Sequence, residues 1–242
     1  MATTIPHAEL LVPPDSLVEY DGKFPEKPYV GDRYASNPKP RATYAAMVSR
    51  MDRDIGKLIA LVNELGIERN TLILFTSDNG PINAGGADPD FFNNGGGLRG
   101  WKFGLYEGGI RVPLIAAWLG RIAKGVVSEL PTCQDDFLPT ACDLAGIIMH
   151  HRTDGVSILP TLVGNSNQRN RDTLYWESPS AKGLMQAARQ KNIKGIRPNK
   201  DAKIEVYDLE NDPNEQNDIA ATRPDLASLI ASLFETEHRL RE

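Results

Sequence analysis

Between Thr43 and Leu65, the residues Met47, Met51, Ile55, Leu58, Val62 and Leu65 recur at steps of three and four. That spacing lines apolar side chains along one stripe of an amphipathic helix. Gly66 follows where a left-handed C-terminal cap is favoured. After Ile67 to Asn70 comes "TLILFTS", a short apolar run of the kind found in strands buried on both faces of an α/β sheet. "VPLIAAWLG" reads as a second such strand, and "DDFLPTACDLAGI" as a helix closed by Gly146. Helix then strand, followed by strand then helix, predicts α/β layering around a mainly parallel sheet.

The two flanks differ from this middle. The first forty residues carry Pro6, Pro13, Pro14, Pro25, Pro28, Pro38 and Pro40 and read as irregular. An irregular segment of that length is functional or belongs to a larger assembly of chain. After about Asn165, "TLYWES", "GLMQAAR", "KNIKGIR" and "KIEVYDL" are short segments separated by polar turns, the pattern of a small antiparallel sheet. "DLASLIASLFETEHRL", introduced by Pro224, reads as a closing helix. The expected organisation is an α/β part over residues 1–165 and a small α+β subdomain over 166–242.

Composition narrows the function classes. A net charge of -5 without a long basic run argues against a nucleic-acid partner. No stretch approaches a membrane span, and "MATTIPHAELLVPP" lacks the basic and apolar regions of a signal peptide. The two cysteines, Cys133 and Cys142, have no metal-ligand spacing and read as inert thiols in or near one helix.

Three places carry possible chemistry. "TLILFTSDNG" ends its apolar run on Asp78, Asn79 and Gly80. A carboxylate beside an amide supplies two oxygen ligands for a hard cation at a strand's C-terminal end, and the same tripeptide is also simple turn chemistry. Calcium takes about six to eight ligands, so other segments would have to contribute. "NNGGGLRGWKFGLYEGG" combines Gly95, Gly96, Gly97 and Gly100 with the cations Arg99 and Lys102. It lacks the Gly-Lys-Ser/Thr ending of a P-loop. Its lysine reads either as an oxyanion contact or as a solvated loop residue. Of four histidines, His7 lies between Pro6 and an apolar stretch, where it reads as a general acid, an anion contact, or neither.

In chain order, "YAAMVSRMDRDIGKLIALVNELGI", "TLILFTSDNG", "GGLRGWKFGLYEGGIRVPLIAAW", "DDFLPTACDLAGI", "DGVSILPTLVG" and "EVYDLENDPNEQNDIA" resemble successive blocks of the sulfatase family, of the arylsulfatase type. The resemblance runs from about His7 to the C-terminal helix. It implies an alkaline-phosphatase-like α/β fold followed by a small antiparallel C-terminal subdomain. It also implies hydrolysis of a sulfate ester, either a small molecule or a sulfated carbohydrate, with a calcium ion and a formylglycine. On this resemblance the calcium ligands fall on Asp78 and Asn79, and the sulfate-contacting lysine on Lys102. The histidine near the leaving oxygen falls on His7. An extracytoplasmic location is common among such proteins.

The family forms its formylglycine from Cys or Ser in the pattern Cys/Ser-x-Pro-x-Arg. Cys133 opens "CQDDF", Cys142 "CDLAG", Ser178 "SPSAK" and Ser36 "SNPKP", and none of these fits. The expectation is therefore a C-terminal portion of a sulfatase, with an incomplete calcium site and no nucleophile of its own. The alternatives are a phosphonate or phosphodiester hydrolase of the same superfamily, and a non-catalytic oxyanion- or carbohydrate-binding remnant.

Overall fold

The computed structural model describes residues 2–31, 33–151 and 153–238. The chain forms two compact units. The first comprises Met1–Leu65, Asn79–Arg111 and Pro213–Gln216, and the second Gly66–Asp78, Val112–Asp212 and Asn217–Glu242.

The first unit is built on the expected long helix. α1 is a single turn, Pro14–Leu17, and α2 runs Pro40–Glu64. Proline at the first helical position costs nothing, because that N–H has no intrahelical acceptor. The next two amides, of Arg41 and Ala42, donate to the Glu26 carboxylate at 3.0 and 2.9 Å, so a distant side chain caps the helix. Only its first turns are buried, at Pro40, Ala42, Thr43, Ala46 and Met47. Met47 forms a core with Leu10, Ile82 and Ala87, against which Ile5, Val12, Tyr44 and Ala84 pack. The predicted apolar stripe continues further than this burial: Leu58 and Leu65 are exposed. The proline-rich entry segment is irregular, as expected, apart from α1 and a bridge between Tyr29 and Asn37. A short helix, α3 (Glu107–Ile110), completes the unit's regular structure.

In the second unit, β1 (Ile73–Thr76) and β2 (Leu114–Ala117) form a two-stranded layer. They pair antiparallel, Ile73 opposite Ala117 and Thr76 opposite Leu114. This pair is antiparallel where a mainly parallel sheet was predicted, and β1 is half-buried along its whole length rather than buried. An apolar run fixes where a strand is and carries no information on its partner's direction. α4 (Phe137–Ala145) ends on Gly146 in the left-handed region at φ +65, the predicted cap. α5 (Leu159–Leu162) follows. Asp136, buried just before α4, accepts hydrogen bonds from the amides of Cys133 at 2.9 Å and Val156 at 2.7 Å and pairs with Arg171.

The C-terminal part matches the reading of short segments as an antiparallel sheet. β3 (Thr173–Ser180), β4 (Gly183–Gln190), β5 (Ile193–Arg197) and β6 (Glu205–Asp208) lie in sequential antiparallel order. α6 (Pro224–Glu237) buries Ile230 and Phe234 against Ala188 and Val206. The whole is mixed α/β with an antiparallel-sheet C-terminal part. Among the described residues no helix is long and apolar enough to cross a membrane.

Candidate functional site

The segment after β1 and the glycine-rich segment are tied together by main-chain hydrogen bonds within the first unit. The Gly80 amide donates to Gly109 O at 2.9 Å, and the Lys102 amide donates to Pro81 O at 2.8 Å. The Gly108 amide in turn donates to Arg99 O at 2.8 Å. This approach is possible only without side chains. A Cβ on Gly80 would stand 1.9 Å from Gly108 O, and one on Gly108 would stand 2.3 Å from Gly100 O. Gly80 thus serves the close passage of one backbone across another.

Lys102 lies at the tip of this arrangement. Gly104 N–H donates to Trp101 O at 3.0 Å, closing a turn with Lys102 and Phe103 at its two central positions. Lys102 is half-buried, and its Nζ stands 5.4 Å from the centre of the Phe103 ring. Arg99, the other cation singled out in this segment, has a structural task. Its guanidinium lies 3.8 Å from the Tyr106 ring centre and donates to Glu215 O at 2.9 Å.

His7 occupies a turn in the irregular entry segment, where its amide donates to Thr4 O at 2.7 Å. The flanking residues Ile5 and Leu10 anchor this turn in the core that holds Ile82 and Ala87. A Cβ on Gly85 would meet the Ala8 side chain at 2.6 Å, so the His7 turn lies directly on the chain that follows Asn79. The imidazole Nδ1 contacts Ala8 O. A carbonyl only accepts, so Nδ1 bears a proton in this contact, and Nε2 is the nitrogen presented to any ligand. The three segments bearing His7, Asn79 and Lys102 are therefore neighbours within one unit.

Asp78 closes the β1 segment in the second unit and is exposed. The strand end before it is held by Gln134 Nε2, which donates to Ser77 O at 3.0 Å. Asp78 and Asn79 offer two hard oxygen donors, suitable in kind for calcium. Among the described residues, no group of three or more His, Cys, Asp or Glu comes together to hold a metal. The pair by itself does not fit the coordination calcium demands.

Sequence reasoning missed Glu215. It is fully buried, and its Oε2 accepts the Glu107 amide at 2.6 Å, capping the start of α3. With Arg99 bonded to its carbonyl, Glu215 grips both ends of the loop that carries Lys102. No local pattern announces this, because 108 positions separate Glu215 from Glu107. Cys133 and Cys142 are free thiols, half-buried rather than buried. Burial pushes the Cys133 thiol up, outweighing the opposing hydrogen bond from Arg171, and this disfavours the thiolate a nucleophile needs.

Residues 1–147 match the family described as Sulfatase, and residues 99–242 match the N-sulphoglucosamine sulphohydrolase C-terminal family. The chain is similar to arylsulfatase A of Homo sapiens, with 34% identity over 143 residues, covering 57% of this chain and 27% of the relative. It is similar in fold to Ps i-CgsB, with a TM-score of 0.79 at 24% identity, covering 98% of this chain and 48% of that one. It is also similar to BT4656, solved in complex with its substrate D-glucosamine-2-N,6-O-disulfate, with a TM-score of 0.66 at 26% identity, covering 83% and 40% of the two chains. The chain thus spans about a quarter of that curated relative's length and about half of the Ps i-CgsB chain. Its fold is that of the alkaline-phosphatase-like sulfatases. By the extent of the family match over its first 147 residues, the chain belongs to the sulfatase family.

Proposed function

We propose that this chain supplies the sulfate-holding part of a site that hydrolyses sulfate esters, with a sulfated sugar as the substrate class. The observation that carries the reading is the backbone lock between the Asn79–Pro81 segment and the Lys102 turn, with the His7 turn packed beside it. A lysine on a fixed turn neutralises sulfate oxygens without reorganising, which is how preorganised charge lowers a barrier. His7, as an imidazolium whose Nδ1–H is held by Ala8 O, gives its Nε2 proton to the departing alcohol oxygen and is left neutral with Nδ1 still protonated. Asp78 and Asn79 would supply two of the oxygen ligands of a calcium ion completed by other segments, and that ion would add charge neutralisation at the sulfate. The nucleophile is a formylglycine, and its Cys/Ser-x-Pro-x-Arg pattern does not occur in this sequence.

The test is turnover of a sulfated substrate by an enzyme in which these residues stand together with a formylglycine. Lys102→Ala is expected to lower kcat roughly a hundredfold to a thousandfold while the unfolding midpoint stays that of the parent. Undiminished turnover in Lys102→Ala would overturn the assignment. A higher rate on a phosphonate monoester than on the matching sulfate ester would move the reading to the sister activity of the superfamily.

A further inference from the structure

Phe103 is out of place by the ordinary rules of folding. It is 74% exposed, although a phenylalanine gains by burial. It also adopts φ +75, a region that bulky residues rarely occupy. The turn it belongs to explains the geometry. Trp101 O accepts the Gly104 amide, and the positive φ falls at the third residue of four, the position at which a type II turn favours glycine. Glycine would remove the strain and the exposed ring together. Residues held in such costly conformations cluster at ligand clamps.

We infer that Phe103, with Trp101 on the other side of Lys102, forms an aromatic platform that receives the ring of the sulfate ester's organic group. The inference rests on Lys102 being the oxyanion contact. A sulfate monoester joins a compact anion to a carbon skeleton through one oxygen, so the two halves need adjacent and unlike contacts. Lys102 and Phe103 are consecutive residues on one turn, with Nζ 5.4 Å from the ring centre. Trp101, 37% exposed, opens the same turn and is the second aromatic residue next to Lys102 in sequence. A flat aryl group, or the apolar face of a pyranose, gains by lying on such a surface. A short acyclic sulfate has no face to offer. Phe103 therefore selects cyclic sulfate esters over acyclic ones, a preference set by the chain's own residues.

The experiment titrates the chain with phenyl sulfate and with methyl sulfate, following backbone amides by NMR, in the wild type, Phe103→Gly, Phe103→Leu and Lys102→Ala. The wild type should bind phenyl sulfate roughly threefold to tenfold more tightly than methyl sulfate. In Phe103→Gly the ratio should fall to near one, and Phe103→Leu should fall between. Phe103→Gly should also unfold at no lower urea concentration than the wild type, since it relieves the strained turn. An unchanged ratio in Phe103→Gly, or a clear loss of its stability, overturns the platform and leaves the role of Lys102 standing. Binding that persists in Lys102→Ala, or no binding of either ester, overturns the oxyanion contact and the platform with it.

Discussion

His7 donates from Nδ1 to its neighbour's carbonyl, and that single bond leaves Nε2 as the nitrogen for the proton-donor role proposed for it. A proton leaving from Nε2 matters most when the departing alkoxide is strongly basic. In a formylglycine-bearing enzyme containing these residues, His7→Ala should therefore slow a sugar sulfate by roughly a hundredfold or more and 4-nitrophenyl sulfate far less. Equal losses on both substrates, read as kcat/KM ratios, would take the proton-donor role away from His7. Lys102 and His7 were singled out because each stands in a distinctive string, "GWKFG" and "TIPHAEL". The side-chain contacts that define them, a carbonyl for one and a ring for the other, were not.

The loop from Arg99 to Glu107 has a stability of its own, because its fixed points come from elsewhere in the chain. Lys102 N–H is held by Pro81 O, Gly108 N–H by Arg99 O, and Glu107 N–H by the buried Glu215 carboxylate. Removing a charged acceptor from a buried amide costs about 2 kcal/mol. Glu215→Ala should lower the unfolding free energy by about that amount in urea, and Glu215→Gln, which keeps an acceptor oxygen, by clearly less. Identical stability in Glu215→Ala and the wild type would show that the clamp does not hold the loop. The glycines of this loop were visible in the sequence, but their purpose was not. Gly80, Gly108 and Gly109 are spent on backbone passing backbone. Such contacts join segments far apart in sequence, and no local period records them.

Over the whole molecule, element order was the most legible property. The long helix, both apolar strands, the helix capped by Gly146, the four C-terminal strands and the closing helix all lie where periodicity and turn residues predicted them. Strand direction was not legible, and β1 and β2 pair antiparallel. The C-terminal sheet also carries an electrostatic signature that sequence does not reveal. Burial, with a hydrogen bond to Glu177, pushes the Tyr175 hydroxyl up to about 12, against an opposing bond from Gln186. The folded state thus favours the protonated phenol. Its contribution is complete below about pH 10, the value for an unfolded tyrosine, and is lost as pH rises towards about 12. Tyr175→Phe should flatten the fall in stability across that window in urea melts. An unaltered alkaline slope would place the sensitivity in other groups.

The central claim is that Lys102, fixed by its bond to Pro81, is an oxyanion contact already formed within this chain. Titration of the chain with inorganic sulfate, read from the amides of residues 99–104 and 79–82, tests it most directly. The account predicts saturable shifts confined to those segments and to the His7 turn, abolished in Lys102→Ala with the rest of the spectrum unchanged. Equal sulfate affinity in the wild type and Lys102→Ala would contradict it.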